Sequence, residues 1–270
     1  MTAQRIERTF QALAAEGRTA LVAYVTVGYP TVEDSFQAAL AALDAGADLL
    51  ELGVPFSDPT ADGPVIAQAM FHAINAGGSL RTALEVAARL REKSEKPIVL
   101  FTYYNPIVAF GDGELPSAAN NAGIDGLLVV DLPPEEGPEL RAAVVKEDLA
   151  IVPLVAPTSG QEREERILPG SRGFVYYVSV TGVTGSGAAP LAEAGQQAKS
   201  LQQRSGLPVA VGFGIDGPEK ARLVRDQGAS GVVVGTAIVR AMGSAADTSS
   251  RVAAVKALVS GLRLGLDSKP

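Results

Sequence analysis

The chain has 270 residues, 47% of them apolar and 20% charged, which suits one large globular unit with a sizeable core. A formal net charge of -7 with no basic cluster argues against binding the phosphate backbone of nucleic acid. With no cysteine, disulfides, thiolate catalysis and cysteine metal sites are excluded, which fits a cytoplasmic protein.

The first eighteen residues carry both charge signs and place Ile6, Phe10 and Leu13 at helical spacing. They predict an N-terminal helix and lack the apolar core of a signal peptide. No run of about 18 apolar residues occurs, so no membrane-spanning helix is expected. Short β-branched runs then predict strands over 21–26, 48–52, 98–102, 126–130, 151–155, 173–179, 209–212 and 231–234. Helical patterns fall between them, near 33–45, 63–93, 115–122, 135–147, 160–167, 190–205, 217–227 and 247–263. Eight alternating βα units point to an α/β fold, a (β/α)8 TIM barrel. It would be a single domain over 1–270 with an extra N-terminal helix. A doubly wound open sheet is the alternative. Ala45-Gly-Ala-Asp, Ala122-Gly-Ile-Asp and Gln227-Gly-Ala-Ser repeat one grammar, in which a left-handed glycine closes a helix before the next strand. Thr31 and Asp34 predict a capping pair, and Pro218 a first helical position.

Within this frame Glu51 stands out. It lies in Ala47-Asp-Leu-Leu-Glu-Leu-Gly53, a carboxylate on an otherwise apolar strand. Burial disfavours the anion, so its pKa should rise until it can give and take a proton near neutral pH. A plainer reading is that Glu51 caps a neighbouring backbone group. The loop Val54-Pro-Phe-Ser-Asp-Pro-Thr-Ala-Asp-Gly-Pro64 follows and supplies a second carboxylate, Asp62. Catalytic groups of a barrel belong at the carboxyl ends of strands, as do Glu51, Asp131 and Tyr176 here. Tyr24, Tyr103, Tyr104 and Tyr176 gather near strand ends and predict either a pocket for a flat aromatic group or ordinary core. The lone histidine, His72, sits on a helical stretch as packing or solvated surface and cannot build a metal site.

The last third is rich in glycine. Gly182 to Gly187, Gly212 to Gly217 and Gly235-Thr236 follow three successive strands. Glycines let backbone N–H groups approach an anion, and a short helix after the last strand adds its N-terminus, so these turns predict phosphate binding. The stretch 181–195 reads as a lid or as a merely flexible loop. No lysine falls on a predicted strand, which removes Schiff-base chemistry and leaves proton transfer by carboxylates on a phosphorylated substrate.

These segments together resemble the tryptophan synthase alpha chain family. The resemblance rests on Glu51-Leu-Gly-Val-Pro-Phe-Ser-Asp-Pro-Thr-Ala-Asp-Gly-Pro64, Tyr103-Tyr-Asn-Pro106, Asp131-Leu-Pro133, Ser179-Val-Thr-Gly-Val-Thr-Gly185, Gly212-Phe-Gly-Ile215 and Gly235-Thr-Ala-Ile-Val239. It implies a lyase that cleaves indole-3-glycerol phosphate to indole and glyceraldehyde 3-phosphate, with no cofactor or metal in this chain. It also implies a partner, a beta chain carrying pyridoxal phosphate, joined in an alpha2-beta2 heterotetramer for tryptophan synthesis. By the same resemblance Glu51, Asp62 and Tyr176 are catalytic. Gly185, Phe213, Gly214, Gly235 and Thr236 hold phosphate, and Tyr24 and Tyr103 line the indole pocket. Thr184 belongs to the lid, and Asp58 faces the partner. Thr236 stands where the family usually has serine, and Thr60 where an apolar residue is commoner. The lid after Gly185 lacks the charged residues often found there. A stand-alone indole-3-glycerol phosphate lyase, a weakly catalytic activating subunit and a sugar-phosphate epimerase are the competing readings.

Overall fold

The computed structural model describes residues 3–178, 188–212 and 214–268. Its strands are β1 (Ala20–Thr26), β2 (Leu49–Gly53), β3 (Ile98–Thr102), β4 (Gly126–Val129), β5 (Ala150–Ile151), β6 (Leu154–Val155), β7 (Val175–Val178), β8 (Val209–Gly212) and β9 (Gly231–Val234). All pair in parallel, in the order β5-β4-β3-β2-β1-β9-β8-β7-β6. β5 and β6 are the two halves of the predicted fifth strand, interrupted at Val152-Pro153 because proline has no N–H to give a ladder. The first half pairs with β4, where Val152 N–H donates to the Leu127 carbonyl at 3.0 Å. The second half pairs with β7, where the Pro153 carbonyl accepts from Tyr176 N–H at 2.9 Å. One segment therefore joins both ends of the sheet and closes an eight-membered ring, a (β/α)8 barrel and not an open sheet.

The helices are α1 (Ala3–Ala15), α2 (Val32–Asp44), α3 (Pro64–Asn75), α4 (Leu80–Arg91), α5 (Tyr104–Phe110), α6 (Leu115–Asn121), α7 (Pro138–Lys146), α8 (Gln161–Ile167), α9 (Ala188–Ser205), α10 (Pro218–Asp226), α11 (Thr236–Ser244) and α12 (Thr248–Asp267). The pattern over 63–93 predicts one helix, yet two form. Gly77 adopts a φ of +87°, and the Ser79 hydroxyl caps α4 by accepting from Thr82 N–H at 3.2 Å. No predicted helix covers α5. The three echoed glycines, Gly46, Gly123 and Gly228, take φ of +112°, +79° and +101°, the left-handed closures predicted for them.

Alternation along the strands separates two cores. Leu21, Ala23 and Val25 of β1 pack outward beneath the helices. Val22 and Tyr24 face the barrel interior with Leu49, Val99, Phe101, Leu128, Tyr176 and Val233. α1 buries Ile6, Phe10 and Leu13 in that interior core, and the Phe10 and Phe174 rings lie 5.3 Å apart. Room for Ile6 comes from Gly126 and Gly173, where a Cβ would fall 3.2 and 3.0 Å from its atoms. α1 thus closes the amino-terminal end, leaving the carboxyl ends of the strands for chemistry.

The closed end is held by buried ions. Asp125, just before β4, has no exposed surface; it accepts from Arg5 at 2.9 Å, Arg91 at 2.7 Å and Ile98 N–H at 2.8 Å. Replacing it would leave the half-buried Arg91 with backbone carbonyls alone and Arg5 with Glu95 alone. Asp125→Ala is expected to cost about 3–5 kcal/mol, read as a lower urea midpoint at unchanged slope. A loss below about 1 kcal/mol would mean that the pairs are screened like surface bridges.

Candidate active site

Strand register puts Glu51 opposite Tyr24 of β1 and Val99 of β3. Leu50 and Leu52 point outward and Glu51 inward, by the same two-residue period that buries Leu49. The carboxyl group is fully buried, and among the described residues neither oxygen has a hydrogen-bond partner. The backbone-capping reading therefore fails. Burial alone pushes its pKa up from 4.5 to about 8, so at neutral pH Glu51 holds its proton.

Asp62 reaches the same region from the loop between β2 and α3. The Tyr103 hydroxyl donates to its Oδ2 at 2.7 Å and accepts from Ala61 N–H at 3.1 Å, pinning the loop to the end of β3. Burial raises the Asp62 pKa from 3.8 to about 6, while the Tyr103 hydrogen bond opposes the rise. Asp62 is thus largely ionised at pH 7. Two carboxyl groups that share one mouth are held in opposite protonation states by their surroundings alone.

Aromatic rings line the space around them. Tyr24 meets Phe101 edge-on at 5.4 Å, Phe101 meets Tyr176 at 6.3 Å, and Phe56 lies against Tyr103 at 5.1 Å. Burial pushes the pKa of Tyr24 and of Tyr176 well above the usual phenol value, so both stay neutral. Their hydroxyls press on glycines. A Cβ on Gly53 would sit 2.1 Å from Tyr24 Oη, and one on Gly212 would sit 2.0 Å from Tyr176 Oη. Gly212→Ala is expected to displace Tyr176 and to cost about 1–3 kcal/mol by overpacking, measurable by thermal melting. An unchanged melting temperature together with unchanged turnover would show that Tyr176 can move freely.

At the carboxyl end of β9, Gly235 lies against the Tyr24 ring, 3.2 Å from where its Cβ would be, and leads into Thr236, the first residue of α11. The opening N–H groups of such a helix have no acceptor within it. Gly214 follows β8 with a φ of +78°. Thr184, Gly185 and Phe213 lie outside the described residues. Asp58 is exposed on the loop that carries Asp62 and accepts from the Ser57 hydroxyl at 2.6 Å.

Not every candidate belongs here. Tyr104 starts α5, packs against the outer core and gives its backbone N–H to Asp131 Oδ1 at 2.7 Å, so Asp131 caps a helix. His72 is exposed, with Nε2 donating to the Pro30 carbonyl at 3.1 Å and its ring edge-on to Tyr29. Lys96 points away from the interior and ties the Leu43 and Ala47 carbonyls at 2.8 Å each. Sequence reasoning missed Phe56, Phe101 and the spacing role of Gly53 and Gly212. For Gly53 and Phe101 the signal was available two residues from Glu51 and from Tyr103, on the same strand face.

A protonated carboxyl group and an ionised one, both close to Tyr24 and Tyr176, suit bond cleavage by proton transfer. On this fold that defines a barrel enzyme of the acid–base type. The chain belongs to the tryptophan synthase alpha chain family, whose model matches residues 10–265. It is similar to the tryptophan synthase subunit alpha of Legionella pneumophila str. Paris, at 35% identity and a TM-score of 0.88 over 97% of this chain and 98% of that one. A Mycobacterium tuberculosis tryptophan synthase chain matches at 34% identity and a TM-score of 0.88 over 98% and 99% of the two chains. A protein of Aquifex aeolicus VF5 matches at 37% identity and a TM-score of 0.88 over 98% and 99%. The reaction of the family is this chain's reaction: lyase cleavage of indole-3-glycerol phosphate to indole and glyceraldehyde 3-phosphate, in tryptophan biosynthesis. Among the described residues no helix is long and apolar enough to cross a membrane.

Proposed function

We propose that Glu51 and Asp62 divide the retro-aldol cleavage between them, with Glu51 moving both protons. The neutral Glu51 carboxyl protonates the indole ring carbon that bears the side chain, and positive charge builds on the ring. Asp62, ionised, accepts a hydrogen bond from the ring N–H and stabilises that charge. The Glu51 carboxylate so formed takes the proton of the side-chain hydroxyl. The carbon–carbon bond then breaks to give the aldehyde, and its electron pair restores the ring. One proton leaves Glu51 and one returns, so the enzyme ends as it began. The observation that carries this reading is the Glu51 carboxyl group, buried beside Tyr24 and Tyr176 with no hydrogen-bond partner among the described residues. Such a group is costly for stability and useful for chemistry.

Tyr24 and Tyr103 line the indole slot, and Tyr176, beside Glu51, is the third catalytic residue. The phosphate lies at the α11 N-terminus on Gly235 and Thr236, with Gly214 and, from the undescribed stretches, Gly185 and Phe213. Thr184 belongs to the lid. Exposed Asp58 faces a beta chain, which uses pyridoxal phosphate to join the released indole to serine in an alpha2-beta2 assembly in the cytoplasm.

The test is indole release from indole-3-glycerol phosphate by the purified chain, alone and with a beta chain from a related organism. Slow release that the partner strongly accelerates is expected. Fast release indifferent to the partner would make the chain a stand-alone lyase. Partner activation without cleavage by this chain would leave an activating subunit.

A further inference from the structure

A cavity of about 250 Å3 lies where β4 and β6 part, beside the helices α7 and α8, and shares no lining residue with Glu51, Asp62 or the tyrosines around them. Leu127, Leu140, Val144, Ile151 and Ile167 make most of its wall apolar. It opens where Pro153 breaks the fifth strand. The pairing of β4 ends with Val152 N–H on the Leu127 carbonyl, and among the described residues β6 pairs only with β7. The two strands therefore part beside the cavity and leave room that a regular barrel would fill.

Three charged side chains border this space, and two are satisfied. Asp131 accepts from Tyr104 N–H, and Arg163 pairs with Glu135. Arg141 differs. Its guanidinium is half-buried, and its one hydrogen bond among the described residues goes to the Pro169 carbonyl at 2.9 Å. Among the described residues no carboxylate pairs with it, and burial lowers its pKa. A guanidinium offers five N–H donors in a planar fork that matches a carboxylate. A partly desolvated cation with most donors free, at the edge of an apolar cavity, is complementary to an anion with an apolar body.

We propose that this cavity is a second ligand site, which takes a small amphipathic carboxylate with its apolar body against Leu140, Val144 and Ile151 and its carboxylate on Arg141. The volume suits a body of about ten heavy atoms and is too small for a long-chain lipid.

Isothermal titration of the full-length chain with octanoate, and with 1-octanol as the uncharged counterpart, tests this. Saturable one-to-one octanoate binding is expected, with octanol weaker by about tenfold or more. Excess indole and glycerol 3-phosphate should leave octanoate binding unchanged. Arg141→Gln should weaken octanoate by about tenfold while leaving octanol binding and indole release unaltered. Val144→Phe should fill the cavity and block both ligands; if it fails to fold, the Arg141→Gln comparison decides alone. The proposal is overturned if octanoate does not saturate or binds no better than octanol. It is equally overturned if Arg141→Gln leaves octanoate affinity unchanged, or if the catalytic-site ligands displace octanoate.

Discussion

Glu51→Gln is expected to lower indole release by roughly 10^3-fold or more while the chain folds normally, because in the proposed mechanism one group serves as both acid and base. Glutamine fills the same volume and keeps a polar head, so the interior rings stay where they are. It can neither protonate the ring carbon nor take the hydroxyl proton. Single-turnover indole release with circular dichroism on the same sample separates loss of chemistry from loss of fold. Turnover near that of the parent chain would sink the assignment.

The same substitution has a signature in pH. In the proposed mechanism cleavage needs Asp62 ionised and Glu51 protonated, so kcat/KM should rise through the Asp62 pKa of about 6 and fall through the Glu51 pKa of about 8. Stability carries the opposite side of this arrangement. The folded pKa of Glu51 is raised above 4.5, so folding favours the protonated form. Its contribution is fully present below pH 4.5 and is lost as pH rises towards about 8, at a slope of about -1.4 kcal/mol per pH unit. Asp62 acts in the same direction between 3.8 and about 6. Glu51→Gln removes the larger share of that loss. The variant should therefore gain on the parent chain by an amount on the order of a few kcal/mol between pH 4.5 and pH 8, in urea unfolding at the two values. Parallel pH curves for the two proteins would mean that Glu51 is hydrated in solution and titrates normally.

Asp62→Asn is the second large effect. The amide oxygen can still accept from the Tyr103 hydroxyl, so the loop stays anchored. What disappears is the negative charge opposite the ring N–H. The expected loss is roughly 10^2–10^3-fold in kcat with little change in KM, the pattern of an interaction made mainly in the transition state. Tyr103→Phe is the matched control. It keeps the carboxylate but removes the hydrogen bond that holds the Asp62 pKa down, so the rising limb of the pH profile should move to higher pH. If Asp62→Asn and Tyr103→Phe lose activity equally, Asp62 serves to position the loop and not to balance charge.

Much of this site was legible in the chain. The βα alternation, the left-handed glycines and the Glu51 to Pro64 segment depend on neighbours close in sequence, whose spacing records the local backbone. The chain alone therefore determined the barrel class, the strand that carries Glu51 and the loop that carries Asp62. Other features depend on residues far apart. One predicted helix became α3 and α4 because Gly77 turns the chain and Ser79 restarts it, and periodicity does not register a two-glycine break. Tyr104, beside Tyr103, was drawn out of the pocket once α5 formed and Asp131 capped it. Phe101 joined the pocket because barrel closure brings β1, β3 and β7 around one axis. Gly212 reads as a turn residue and Gly53 as the end of a strand, yet each is small because a tyrosine hydroxyl from another strand rests on it. Only the tertiary structure decided how far Glu51 is cut off from partners and water, and hence that its proton stays on at neutral pH. Burial is a property of everything packed around a group, and no window of sequence contains it.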